Sequence, residues 1–217
     1  MPSPRISRLG ALSASLLVVA LTAGSAHAEK ADRTKPLNIE SELPGQLDLI
    51  KQLVVFNGNV VVTKGTMTIR AARIEVRETP DGYRTAIAFG TPTQHATFRQ
   101  KRDAPDEWIE GDAERLEYDG KSDVIRFVTN ASVRRLHGST ISDYIDGNLV
   151  TYDSTTEIFN VSGGAQPTPA NPTGRVRASL MPREGTAAAA EAAAAAASAA
   201  AAPAPPLRIS PALGSTK

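Results

Sequence analysis

The chain has no cysteine in its 217 residues. Disulfides are therefore excluded, and stability must come from sheet hydrogen bonds and an apolar face. It also lacks an excess of either charge: 24 Lys and Arg stand against 23 Asp and Glu, a formal balance of +1. So even a balance argues against nucleic acid as a partner. Between about Pro36 and Gly164 there is no sustained helical periodicity. Neither G-x-S-x-G nor H-E-x-x-H occurs, and beyond residue 28 the histidines are His95 and His137, neither beside a serine nucleophile motif. No catalytic residue, metal or cofactor is expected.

The two ends read differently from the middle. Arg5 and Arg8 precede an apolar run from Leu9 to about Gly24, followed by Ala26-His27-Ala28. This is the pattern of a secretory signal peptide over 1–28, cleaved after Ala28, and it implies export. The run is shorter than the ~20 residues of a spanning helix, and Ser13, Ser15 and Thr22 dilute it. Cleavage takes away two arginines and no acid, turning the balance from +1 to −1. Residues 29–35 are a short lead. Residues 165–217 hold Pro167, Pro169 and Pro172 and then an alanine run from Ala187 to Ala202. With no amphipathic face to bury, this stretch is expected to be a disordered tail or spacer. One folded domain remains, 36–164.

Within it, the stretch from Phe56 to Val76 sets the pattern. A run rich in β-branched residues, Val54 to Thr63, and an alternating run, Met67 to Val76, flank Lys64-Gly65-Thr66. That predicts a hairpin with one dry face. Met67, Ile69 and Ala71 share one parity, whereas Ile74 and Val76 have the other. A strand changes face only through an irregularity, so a bulge is expected near Ala71-Ala72. Further strands are predicted at Leu37–Ser41, Tyr83–Phe89, Gln94–Gln100, Trp108–Tyr118, Val124–Val128, Ser132–Leu136, Thr140–Ile145, Asn148–Tyr152 and Glu157–Val161. Leu116 to Ile125 also aligns with Val150 to Phe159, Tyr118 matching Tyr152 at an offset of 34. Strand, short polar turn, strand is thus a repeated unit.

Glu110, Asp112 and Glu114 share one strand face, which suits a solvated surface better than glycosidic acid–base work or cation binding. Asp119-Gly120-Lys121-Ser122-Asp123 lacks the spacing of a calcium loop and reads as a turn. What stands out is an apolar face: Leu37, Ile39, Val60, Val62, Ile69, Ile74, Val76, Ile87, Phe89, Phe98, Trp108, Leu116, Tyr118, Phe127, Ile141 and Leu149. It either fills a β-sandwich core or stays open enough to hold acyl chains.

Several short stretches, in order, carry a resemblance: Leu37-Asn38-Ile39-Glu40-Ser41-Glu42, Phe56-x-Gly58-Asn59-Val60, Gly65 before Ile69-x-Ala71, Pro92 before Ala96-Thr97-Phe98, Ile109-Glu110-Gly111 and Tyr152-Asp153. Over Pro36 to Gly164 the chain resembles the OstA-like family, departing from its pattern at Ala72 and in the alanine-rich tail. The resemblance implies an all-β, twisted, slightly open jellyroll of antiparallel strands. It further implies a lipopolysaccharide carrier and bridge across the periplasm, with the apolar face above as the lipid-binding surface. Copies would stack head to tail through Leu37, Asn38, Ile39, Glu40 and Ser41 at one edge and Ile158, Phe159 and Val161 at the other. An LptC-like inner-membrane protein would meet the first edge and an LptD-like outer-membrane protein the second. Arg70, Arg99, Lys101, Arg102, Arg134 and Arg135 are candidates to meet lipid phosphates. The alternatives are an LptC-like relative anchored by an uncleaved leader, and a carbohydrate-active enzyme.

Overall fold

The computed structural model describes residues 28–163, 173–183 and 185–201; apart from Ala28, the expected signal peptide lies outside them. Helix α1 (Ala28–Asp32) leads into twelve strands: β1 (Asn38–Glu40), β2 (Gln46–Asp48), β3 (Leu53–Lys64), β4 (Met67–Glu78), β5 (Arg84–Phe89), β6 (Ala96–Lys101), β7 (Glu107–Ala113), β8 (Arg115–Asp119), β9 (Val124–His137), β10 (Thr140–Asp153), β11 (Ile158–Ser162) and β12 (Arg177–Leu180). Helix α2 (Ala187–Ala201) follows. All strands join one sheet, and every pairing is antiparallel.

The sheet is folded along a crease that crosses every long strand. In one layer β1, β3 (61–63), β4 (68–70), β6, β7, β9 (132–137), β10 (143–146) and β12 lie side by side. In the other the order is β2, β3 (53–57), β4 (73–78), β5, β8, β9 (124–128), β10 (149–153) and β11. The expected irregularity near Ala71-Ala72 is where β4 passes from the first layer to the second. Its partner bends further, because β3 takes four steps from Phe56 to Val60 while β4 takes three from Ile74 to Ala71. Gly58 and Asn59 absorb the excess with φ of 76° and 43°. The same device recurs in β9 and β10. Thr129 and Asn130, at φ 66° and 52°, bend β9 between Phe127 and Ala131, which oppose Val150 and Gly147. Asparagine tolerates the left-handed region better than most residues. At both bends its side chain also donates to a neighbouring carboxylate, Asn59 to Glu42 at 2.9 Å and Asn130 to Glu114 at 2.6 Å.

The crease explains where strand boundaries differ from expectation. Val124–Val128 and Ser132–Leu136 are one bent strand, as are Thr140–Ile145 and Asn148–Tyr152, whereas Trp108–Tyr118 is broken at Glu114. There the Glu114 amide donates to the Thr129 carbonyl at 3.0 Å, and Gly90 donates to the Glu114 carbonyl at 2.8 Å. The repeat also holds at atomic detail. Asp119 accepts from the Lys121 amide and Asp153 from the Thr155 amide, both at 2.8 Å. Asp123 and Glu157, the matching turn ends, both lie at φ 57°.

The tail is not uniformly a spacer. Residues 177–180 return to the sheet as β12, lying along β10 from Asp146 to Asp143, with Arg177 opposite Asp146. Further on, Thr186 accepts the Ala189 amide at the start of α2, an N-cap for a helix whose alanines need no packing partner to be helical. The lead 29–35 is tied to the sheet. Asp32 is buried and accepts the Thr66 amide at 2.8 Å and the Gln100 amide group at 3.2 Å.

Candidate functional site

The two layers turn their apolar sides toward each other. Strand parity puts Val60, Val62, Ile69, Ile74, Val76, Phe98, Leu116, Tyr118 and Phe127 in this interior, with Leu37 and Ile39 packed against its margin. Five expected residues face outward instead. On β5 Ala86 and Ala88 take the inner side, leaving Ile87 and Phe89 outside. On β7 Ile109 points in, and Trp108 lies outside under the Arg99 guanidinium, 4.3 Å from the ring centroid. Leu149 alternates with the buried Val150, and Ile141 is 45% exposed opposite Leu136. Size alone groups these five with the apolar face, and alternation overrides size in a strand. By the same test Tyr152, the repeat partner of Tyr118, belongs inside; it is fully buried and stacks on Phe159 at 4.3 Å.

In its middle the interior is shut. Val60, Phe127 and Tyr152 are 0% exposed, and the Phe127 ring meets Phe98 edge-on at 5.7 Å. Its two ends are open. At the β1 end a cleft of about 350 Å³ runs between Leu37 and Ile39 of one layer and Val54 and Val76 of the other; Leu47 and Leu49 also line it, as do the polar Gln52, Glu78 and Arg84. At the β11 end Val133, Ile145, Phe159 and Leu180 line a cavity of about 270 Å³ whose other wall is the charged set Arg102, Arg135, Asp143 and Glu157.

Opposite the crease, the free margins of the layers are tied by two polar latches. Lys64 of the first layer donates to the Tyr118 hydroxyl at 2.8 Å, and Tyr118 donates to Asp123 at 2.6 Å. Arg102 spans the same gap to Glu157 while also pairing with Glu107. Both carboxylates come from the repeated turn. Burial depresses the Lys64 ammonium below its ordinary value, a fall opposed by Asp123 and Asp32. Burial, reinforced by the bond to Asp123, raises the Tyr118 phenol well above 10.

These shifts act on stability in opposite senses. Above pH 10 the unfolded phenol loses its proton while the folded one keeps it, so stability falls as pH rises. The unfolded lysine keeps its proton up to about 10.4 while the folded one releases it earlier, so stability rises toward that pH. Lys64→Met is expected to remove the second effect and leave a steeper alkaline loss than in the parent. Urea midpoints from pH 8 to 11 measure it, and parallel curves for the two proteins would contradict it.

The carboxylates weighed for catalysis are engaged on the outside. Glu110 pairs with Arg99, Asp112 lies 3.0 Å from His95 Nδ1 and 3.4 Å from Arg134, and Glu114 is held at the crease. The cations expected to meet phosphate are largely neutralised too, Arg135 for instance by Asp143 and Glu107. At the two edges, β1 has β3 on one side and β11 has β10 on one side; no strand covers the other side of either among the described residues.

Residues 38–158 match the family described as LptA/(LptD N-terminal domain) LPS transport protein. The lipopolysaccharide export system protein LptA of Haemophilus influenzae is 30% identical over 172 residues, covering 78% of this chain and 90% of that protein. Its Escherichia coli K12 namesake is 32% identical over 143 residues, covering 65% and 70%. Among solved structures, LptH of Pseudomonas aeruginosa, described as the LptA-homologous periplasmic component of the lipopolysaccharide transport device, superposes with a TM-score of 0.60 at 19% identity. That match covers 70% of this chain and 99% of the other.

Proposed function

Since the chain belongs to the LptA/LptD N-terminal domain family of lipopolysaccharide transport proteins, we propose that it carries lipopolysaccharide through the periplasm with the acyl chains held between its two layers. The carrying observation is an apolar interior that opens at both ends, at Leu37 and Ile39 and again at Val133 and Phe159. The physical need is large. Exposing an acyl chain to water costs about 0.8 kcal/mol per CH₂, or roughly 10 kcal/mol for a dozen carbons. Because the middle is closed by its own side chains, loading requires the layers to part at the latched margins. The sugars then remain in water.

Export with cleavage after Ala28 puts the chain in the periplasm. The edges at Leu37–Ser41 and at Ile158, Phe159 and Val161 carry unpaired main-chain groups suited to strand addition. Head-to-tail copies, an LptC-like protein at the first edge and an LptD-like protein at the second would each extend the sheet and join interiors. A photo-crosslinking amino acid at Phe98 tests the reading. Lipopolysaccharide is expected to be captured there and not at Arg134 on the outer face; capture at Arg134 alone would contradict an interior path.

A further inference from the structure

We propose that the cavity between the segment after α1 (33–37), the tip of the β3–β4 hairpin, the start of β5 and the end of β8 is a phosphate subsite, which holds a phosphorylated lipid headgroup while the adjoining cleft takes its chains. This rests on the carrier reading above. The cavity, about 340 Å³, lies in the ~300–1,000 Å³ range of ligand clefts. Four cations line it, Arg33, Lys35, Lys64 and Arg84, and none of its lining residues is acidic. In that it differs from the cavity at the β11 end, where Arg102 and Arg135 meet Asp143 and Glu157, and from the outer depression where Arg70, Arg99 and Arg134 meet Glu110 and Asp112.

The nearby acids leave positive charge over. Lys64 is 4.0 Å from Asp123 and also feels the charge of the buried Asp32, and Arg84 reaches Glu78 at 3.3 Å on the exposed side, so the surplus rests on Arg33 and Lys35. Arg33 spends one N–H on the Lys121 carbonyl at 2.9 Å, a bond that neutralises nothing. Lys35 is exposed and has no carboxylate within ion-pair distance among the described residues. Guanidinium and ammonium groups converging on one cavity favour a phosphate ester, the guanidinium through paired N–H donors. Leu37 and Arg84 line both this cavity and the cleft beside it. One molecule with a phosphate next to acyl chains satisfies both, which free phosphate cannot do.

The test uses the exported chain with three probes: bisphosphorylated lipid A, its fully dephosphorylated counterpart, and inorganic phosphate. The parent is expected to bind the bisphosphorylated lipid about tenfold or more tightly than the dephosphorylated one, a difference of about 1.4 kcal/mol. Rising salt is expected to shrink that preference. Lys35→Gln, a substitution at an exposed position, should reduce it, and Lys35→Gln with Arg33→Gln, neither of which lines the chain cleft, should abolish it while binding of the dephosphorylated lipid stays as in the parent. Millimolar inorganic phosphate should compete with the phosphorylated lipid alone. Equal binding of both lipids by the parent would overturn the subsite and leave the carrier reading intact. Capture of inorganic phosphate without any lipid preference would overturn it as well. Failure to bind either lipid would remove the carrier reading with it.

Discussion

Phe127→Ala is expected to destabilise the protein by about 3–5 kcal/mol, the usual cost of truncating a buried phenylalanine. Few substitutions should cost more, since whole domains are stable by only about 5–15 kcal/mol. The ring is fully buried beside the β9 bend, packs on Phe98 of the opposite layer and lies over Gly111. A Cβ at position 111 would fall 2.4 Å from the Phe127 ring, so the glycine is small because the aromatic is large. The two sites should therefore couple. Gly111→Ala is expected to destabilise the parent and be tolerated, or even favourable, beside Phe127→Ala. Urea unfolding followed by the single tryptophan measures all four proteins. A loss below about 1 kcal/mol for Phe127→Ala, or strictly additive effects, would mean that the layers do not meet as described.

A covalent bridge across the free margins should abolish loading. Because the chain has no cysteine of its own, Lys64→Cys with Asp123→Cys supplies the only two thiols for a short bifunctional reagent. These positions belong to opposite layers at the first latch, where the parent side chains stand 4.0 Å apart. With the bridge in place, lipopolysaccharide capture by a crosslinker at Phe98 is expected to fall to background. Without the reagent the same variant, its latch removed, should load at least as fast as the parent. Undiminished capture in the bridged protein would show that chains enter through the ends of the interior and that the margins stay closed.

How much of this was legible in the sequence follows from the range of the interactions. The change of parity between Ala71 and Ile74 is a local signal, and it marks the crease in the sequence itself. The matching change between Gly147 and Val150 was hidden because the bend itself read as a gap between two strands. The repeat of Tyr118-Asp119 in Tyr152-Asp153 was legible because an aspartate turn is built from neighbours in sequence. The latches were not. Lys64 and Asp123, or Arg102 and Glu157, lie in separate turns, and nothing in either turn names its partner. Bulk alone would put Trp108 and Phe89 inside, whereas the alternation of β7 and β5 turns them outward. The strand 177–180 leaves no mark in the sequence because its four residues are all exposed and carry no apolar pattern.

The line of bends has a mechanical meaning. Gly58-Asn59, Glu114 and Thr129-Asn130 already stand outside the regular rungs, so the two leaves can swing about them as covers about a spine, with the rungs inside each leaf left unbroken. The work of swelling around a guest then falls on torsions at a handful of residues and on two ionic clasps. A molecule hinged in this way can change its bore without surrendering its edges, so a row of copies joined edge to edge could widen and narrow along its length while staying joined.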